Sequence, residues 1–377
     1  MLRFLQPSRA SWQNLKDVIN KDMSKLMSPL GLKNVLVFGS TLTGLDFIGS
    51  DLDYYIQLID QPATEEAIKE TIQKVSKLAR GFPSQGIFPN FRVIYSIQHA
   101  RVPIVRVVHV PSKTTCDINF SSKFGYYNST FIGHILGYDT RIKGLAVILK
   151  LWSKAYKISE RMIMSNYCLV MLMIFYLQNL PQPMLDTIIN NQKSKKPIIL
   201  DPKHKWNVYF NDTINKTRNN EESLRDLLVG FFEFYHKLNF SNYIVSLYNG
   251  DLVPRKDFDQ HADFAEYRDV VAQSELQPLR FDNPQMFIVQ DGFELNLNVG
   301  IKCLKHVDFF FEMIKTSFAK CEELKDKPFS HLLTKLFTEL EVPKGAEKGP
   351  SKAKRKFLMT LHSIAGDLKV RMTELCF

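Results

Sequence analysis

The sequence predicts two structural classes in one chain: a small α/β unit with a mixed sheet in the first 125 residues, and a helical unit after it. Short runs rich in β-branched and aromatic residues recur at 35–38, 51–58, 91–97, 102–109 and 114–120. Apolar residues at helical spacing interrupt these runs at 12–30 and 63–80, and dominate from 126 onward. A length of 377 residues gives room for two separate cores.

Taken in order, Leu15, Val18, Ile19, Met23 and Leu26 mark a leading helix within 12–30. The strand 35–38 runs into Gly39-Ser40, and eleven residues after Ser40 comes Asp51-Leu52-Asp53, opening the strand 51–58. In the helix 63–80, Ile68, Ile72, Val75 and Leu78 share one face. Three strands follow at 91–97, 102–109 and 114–120, then helices at 140–156, 165–180 and 223–238. The last carries Leu224, Leu227, Leu228, Phe231 and Tyr235 on its inner face. The apolar run 167–177 is too short to span a bilayer and suits a buried helix. Segments 193–205 and 211–222 read as polar loops, 286–289 as a strand-like piece, and 300–320 as a helix. The stretch 343–356 is basic, broken by Gly and Pro, and reads as a linker or an electrostatic RNA tether; 357–375 is amphipathic.

Composition narrows the function. A hydrophobic content of 45% and 28 Phe exclude a disordered chain. With 49 Lys and Arg against 39 Asp and Glu, the net charge of +10 favours an anionic partner: nucleic acid, nucleotide or anionic membrane. The cysteines Cys116, Cys168, Cys303, Cys321 and Cys376 are scattered, with no C-x-x-C and no zinc-ligand spacing, which indicates reduced intracellular thiols. MLRFLQPSRASW has Arg and Ser but no acid, as a transit peptide would, and there is no secretory signal. A cytoplasmic or nuclear address is expected first, a mitochondrial one as the alternative.

Asp51 and Asp53, two apart on a strand, point to one face and suit one cluster of divalent cations. Gly39 lets the backbone approach a phosphate, and Ser40, opening a helical turn, offers it a hydroxyl and amides. A third acid, Asp117, stands in T-T-C-D-I-N-F, where burial is costly unless the carboxylate is paired or metal-bound. The plainer reading of each acid is an edge-strand residue facing water. Together, three acids and the Gly-Ser turn point to two Mg²⁺ or Mn²⁺ ions and metal-assisted nucleotide chemistry, with Asp117 the candidate general base. No P-loop or dinucleotide fingerprint is present. Lys150 and Lys154, at i and i+4, form either a phosphate site or an ordinary solvated face. Ser165-Asn166-Tyr167 opens a helix whose first amides favour phosphate, and Tyr167 either stacks on a base or belongs to the core.

The ordered set G-S, D-x-D, D, Asn128, K-x-W-x-K, S-N-Y and D-x-F resembles the noncanonical poly(A) polymerases and terminal uridylyltransferases of the DNA polymerase β-like nucleotidyltransferase superfamily, from about residue 12 to about 320. Segments 100–107 and 223–235 also resemble that family. The resemblance implies a nucleotidyltransferase catalytic domain at 31–125 facing a helical, poly(A) polymerase-associated domain at 126–325 across an active-site cleft. Apolar spacing gives the leading helix within 1–30, expected to pack on the body, and a helical tail at 326–377. Asp51, Asp53 and Asp117 are then metal-binding, Gly39 and Ser40 contact phosphate, and Asn128 contacts the ribose. Lys150 and Lys154 hold the triphosphate, Tyr167 stacks on the base with Asn166 beside it, and Asp291 lies near the base.

The implied activity is template-independent addition of nucleoside monophosphates from NTP to RNA 3′ ends. Two departures bear on it. Asp291-Gly292-Phe293 replaces the usual D-P-F, which should loosen that loop. Leu297 stands where uridylyltransferases often carry His before Asn-Val, and Leu cannot hydrogen-bond a uracil edge, so AMP is preferred over UMP. The alternatives are a terminal uridylyltransferase using UTP, or an inactive relative serving as a binding partner, against which the retained acids argue. No RNA-recognition aromatic motif or zinc knuckle is present, so a protein partner is expected to supply RNA specificity; no membrane partner is expected.

Overall fold

The computed structural model describes residues 9–58, 64–80, 90–192, 206–211, 220–274 and 276–338. The segments read as a basic linker and an amphipathic tail, 343–356 and 357–375, lie outside the described residues, as does the polar loop 193–205. The chain forms two compact units: Met1–Tyr138 with Ser194–Asp212 and Ala272–Leu276, and Asp139–Lys193 with Thr213–Val271 and Gln277–Phe377.

In the first unit, α1 (Arg9–Met27) leads into β1 (Lys33–Phe38), α2 (Gly39–Thr43), β2 (Leu52–Gln57) and α3 (Glu65–Arg80). There follow β3 (Phe91–Ile97), β4 (Ile104–His109), β5 (Thr114–Asn119) and α4 (Phe124–Tyr138). The sheet order is β1-β2-β5-β4-β3; β2 and β5 run parallel and the other pairs antiparallel, so the sheet is mixed, as expected. Alternation sends Val105, Val107, Cys116 and Ile118 to one face, where Ile19, Met23 and Leu26 of α1 and Ile68, Ile72 and Val75 of α3 cover them. Each such burial stabilises by roughly 1.5–3 kcal/mol. A one-residue slip of register would turn every one of these side chains outward, so the packing also fixes what the opposite face carries. The strand β5 lies in the middle of the sheet, paired on both sides. Asp117 is therefore not an edge residue, and that plainer reading of it fails.

Helix α1 is tied to the loop between α2 and β2. Trp12 Nε1 and Lys16 Nζ both donate to Asp46 Oδ2, each at 2.8 Å, and the Lys16 and Asp46 side chains are buried. A second tie joins α1 to the far end of the sheet, where Asp22 accepts from Asn90 Nδ2 at 2.7 Å.

The second unit contains α5 (Thr140–Ala155), α6 (Asn166–Gln178), α7 (Ile188–Gln192), α8 (Leu224–Lys237), β6 (Tyr243–Ser246), β7 (Asp251–Pro254), α9 (Ala265–Ala272), β8 (Ile288–Gln290), α10 (Leu304–Glu323) and α11 (Phe329–Thr338). The apolar run is α6, buried at every position from Cys168 to Gln178. Ser223 and Asp226 close a capping box at the start of α8. Phe231, Phe232 and Tyr235 of α8 then interlock, with Phe232 also against Trp152 and Phe231 against Tyr176. Trp152 Nε1 donates to Ser317 Oγ at 2.8 Å, joining α5 to α10 inside this core. Besides the expected strand near 286–289, the unit holds β6 and β7, which complete a three-stranded sheet in the order β7-β6-β8. These strands are only three or four residues long, and three of the four β6 residues are buried, so no alternating pattern announces them. No helix among the described residues is long and apolar enough to cross a membrane.

Candidate active site

One row of register partners crosses the first sheet: Phe38 opposite Asp53, Asp53 opposite Asp117, Asp117 opposite Arg106, and Arg106 opposite Tyr95. Directly paired residues on neighbouring strands point to the same face. Asp53 and Asp117 are therefore neighbours, on the face that α1 and α3 leave open. Asp51, two residues before Asp53, joins them and accepts a hydrogen bond from Thr115 Oγ1. All three expected acids share one face.

Gly39 ends β1 with φ +66°, and a Cβ there would overlap the Asp53 carboxylate. Glycine is needed both for the left-handed turn and for the close approach of that acid. The Gly39 N–H donates to Ser129 Oγ at 2.8 Å, and Ser129 in turn donates to the Gly125 carbonyl at 2.6 Å. Ser40, half-buried, follows within the five-residue α2.

Arg106 is the residue the motif search does not find. Its Nε donates to Asp117 Oδ1 at 2.6 Å, its Nη2 pairs with Asp117 Oδ2, and the same Nη2 lies 3.5 Å from Asp51 Oδ2. The Tyr95 ring packs 5.6 Å from the guanidinium carbon. The Asp117 hydrogen bond pushes the Arg106 pKa up, against the opposing effect of burial. The three acids are expected to share two metal ions, and in this structure Arg106 lies between two of them. Among the described residues, no group of three or more His, Cys, Asp or Glu is arranged to hold a metal, and a guanidinium bridges two of the three acids. The donor chemistry nonetheless fits, because clustered hard carboxylate oxygens are what Mg²⁺ and Mn²⁺ select. Cys116, on the opposite face, is no ligand: burial and then the charges of Asp117, Asp51 and Asp53 push its thiol up to about 12.

The remaining candidates fall on helices and one loop. Asn128, on α4, has a buried Oδ1 with no hydrogen-bond partner, an acceptor awaiting a donor. Lys150 and Lys154 lie one turn apart on α5, Lys150 half-buried and Lys154 exposed. Ser165 caps α6, its Oγ accepting from the Cys168 N–H at 3.1 Å, and Asn166 is the exposed first residue of the helix. Tyr167 and Asp291, expected separately, are joined: the Tyr167 hydroxyl donates to Asp291 Oδ2 at 2.7 Å. Burial, then the charge of Asp291, pushes the Tyr167 pKa well above its usual value, so the hydroxyl remains a donor. Asp291 Oδ1 accepts from the N–H groups of Phe293 and Glu294 at 3.0 and 2.9 Å. Its own N–H donates to the Leu297 carbonyl at 2.9 Å, and the Leu297 N–H donates to Glu294 O at 2.8 Å. These hydrogen bonds close the loop that contains Gly292.

Residues 2–136 match the family model for the mitochondrial-like poly(A) RNA polymerase central palm domain, and residues 223–297 match that for Cid1 family poly A polymerases. The chain belongs to the noncanonical poly(A) polymerase and terminal uridylyltransferase family. Members of this family are RNA nucleotidyltransferases, and the family is generally metal-dependent. One similar member is the speckle targeted PIP5K1A-regulated poly(A) polymerase of Danio rerio, 29% identical over 56% of this chain and 28% of its own length. Another is terminal uridylyltransferase 7 of Homo sapiens, 28% identical over 62% of this chain and 16% of its own length. The chain thus spans well under half of either relative. The solved Cid1 poly(U) polymerase with Mg 3′-dATP bound shares the fold, with a TM-score of 0.67 at 19% identity, covering 88% of this chain and 93% of that one.

Proposed function

We propose that this chain adds nucleoside monophosphates, AMP in preference to UMP, from NTP to RNA 3′ ends without a template. The observation that carries the proposal is the row in which Asp53 and Asp117 are direct register partners, with Asp51 on the same face beside the Gly39-Ser40 turn. Asp51, Asp53 and Asp117 would hold two Mg²⁺ or Mn²⁺ ions. When bound, such ions acidify an attacking hydroxyl and neutralise a departing pyrophosphate. The RNA 3′-oxygen forms the new bond to the α-phosphorus, the bond to pyrophosphate breaks, and Asp117 orients the hydroxyl and takes its proton.

Other residues bind and orient. Asn128, by its match to the family's motif, contacts the ribose. Lys150 and Lys154 balance the triphosphate charge. Tyr167 stacks on the base, with its ring angle held by Asp291 rather than Asp291 reading the base itself. The half-buried Leu297 offers no side-chain hydrogen bond to a uracil edge, which favours ATP over UTP. The scattered cysteines, with no C-x-x-C pair in the sequence, support a reducing, intracellular setting, and a protein partner is assigned the choice of RNA.

The test is an NTP panel with purified protein, a short RNA primer and Mn²⁺. ATP should be incorporated faster than UTP, and Asp51→Ala should abolish incorporation while its circular dichroism and melting midpoint stay within the range of a surface substitution. Tailing that survives in Asp51→Ala refutes the site; UTP incorporated faster than ATP refutes the base preference alone.

A further inference from the structure

We infer that Arg106 is an internal counter-ion of the acid cluster: in the metal-free protein its guanidinium takes the place of a divalent cation between Asp117 and Asp51, so that guanidinium and metal compete for the same carboxylates. This rests on the reading of Asp51, Asp53 and Asp117 as the metal site and adds a residue that sets how tightly the site is held.

Three observations support it. First, the pairing with Asp117 is bidentate, Nε to Oδ1 and Nη2 to Oδ2, so both oxygens that would face a cation are engaged. Second, the same Nη2 reaches to 3.5 Å from Asp51 Oδ2, and one planar group thus spans an acid on β5 and one just before β2. Third, the backbone fixes the arrangement: Arg106 is the register partner of Asp117 on one side and of Tyr95 on the other, so only a rotation of its side chain can release the acids. The Tyr95 ring packs against the same guanidinium, its centroid 5.6 Å from the guanidinium carbon.

The electrostatics give the competition its sign. Three carboxylates on one face repel, and a positive charge among them relieves the repulsion. An arginine cannot relieve the conflict with an incoming cation by losing its proton, because it stays protonated in proteins. It must be displaced, and its charge opposes the metal until it is. Removing the charge should strengthen metal binding, although Asp117 then loses its positioning partner.

The experiment compares wild type, Arg106→Met and Arg106→Lys by Mn²⁺ binding measured with electron paramagnetic resonance, and by melting midpoints in EDTA and in saturating Mn²⁺. Arg106→Met should bind Mn²⁺ about tenfold more tightly than wild type, and Arg106→Lys within about threefold of it. Arg106→Met should also melt earlier than wild type in EDTA and gain more from Mn²⁺. Should Arg106→Met fail to fold in EDTA, Arg106→Gln carries the comparison, with the same ordering expected. Equal or weaker Mn²⁺ binding in the uncharged variant overturns the inference, since Arg106 would then support the metal. A wild type that binds no Mn²⁺ at all overturns the metal site itself, which separates the two failures.

Discussion

Gly39 meets two demands at once, a left-handed turn at φ +66° and space for the Asp53 carboxylate. Gly39→Ala should destabilise the protein by about 1–3 kcal/mol, from the backbone conformation and the overlap together. A urea midpoint unchanged by the substitution would show that neither constraint is real. At this scale the acids were legible in the sequence, because a lone Asp within T-T-C-D-I-N-F has few reasons to be there other than pairing or metal. Arg106 carries the same kind of signal, one base inside I-V-R-V-V-H, yet its meaning depends on which strand lies beside β4. Sequence spacing does not contain that information. The link between Tyr167 and Asp291 was hidden for the same reason, since 124 positions separate the two.

Most elements of the first unit follow from periodicity because one face is covered, whereas β3, with Ile94, Tyr95 and Ile97 exposed, is read from its β-branched and aromatic content. The leading helix, the Gly-Ser turn and all five strands fall where alternation, helical spacing and that content place them, with ends shifted by a few residues. The second sheet does not, because its strands are three or four residues long and the largely buried β6 and β8 carry no alternation; Asn249-Gly250 between β6 and β7, with φ +80° at the glycine, was the available hairpin signal. Helix α1 shows how an element outside the motif block supports it. Lys16 and Trp12 hold Asp46 in the loop that leads to Asp51, and the Lys16 and Asp46 side chains are only 8% and 5% exposed. Lys16→Met strands a buried carboxylate and should cost about 3–5 kcal/mol. Asp46→Asn in the Lys16→Met background should recover part of that loss in thermal or urea unfolding. A loss below about 1 kcal/mol would mean the carboxylate finds water, and the brace is then weak.

At the scale of the whole molecule, a net charge of +10 is the property that acts furthest from the site. RNA affinity should fall with salt, log K against log salt having a slope near −0.7 for each phosphate neutralised on a single strand. A slope near zero would assign RNA binding to stacking alone. The first family match, residues 2–136, covers the acids and Asn128 of the first unit; the second, residues 223–297, covers Asp291 and Leu297 of the second, and Lys150, Lys154 and Tyr167 lie between the two matches. The placement of β5 at the centre of the first sheet has its own outcome. Amides there are shielded by neighbours on either side, and they should exchange with deuterated solvent only when the unit unfolds as a body. The strand carrying Asp117 would then be among the most slowly exchanging of the chain, its isotope pattern unmoved by nucleotide, while side chains alone respond to each round of turnover.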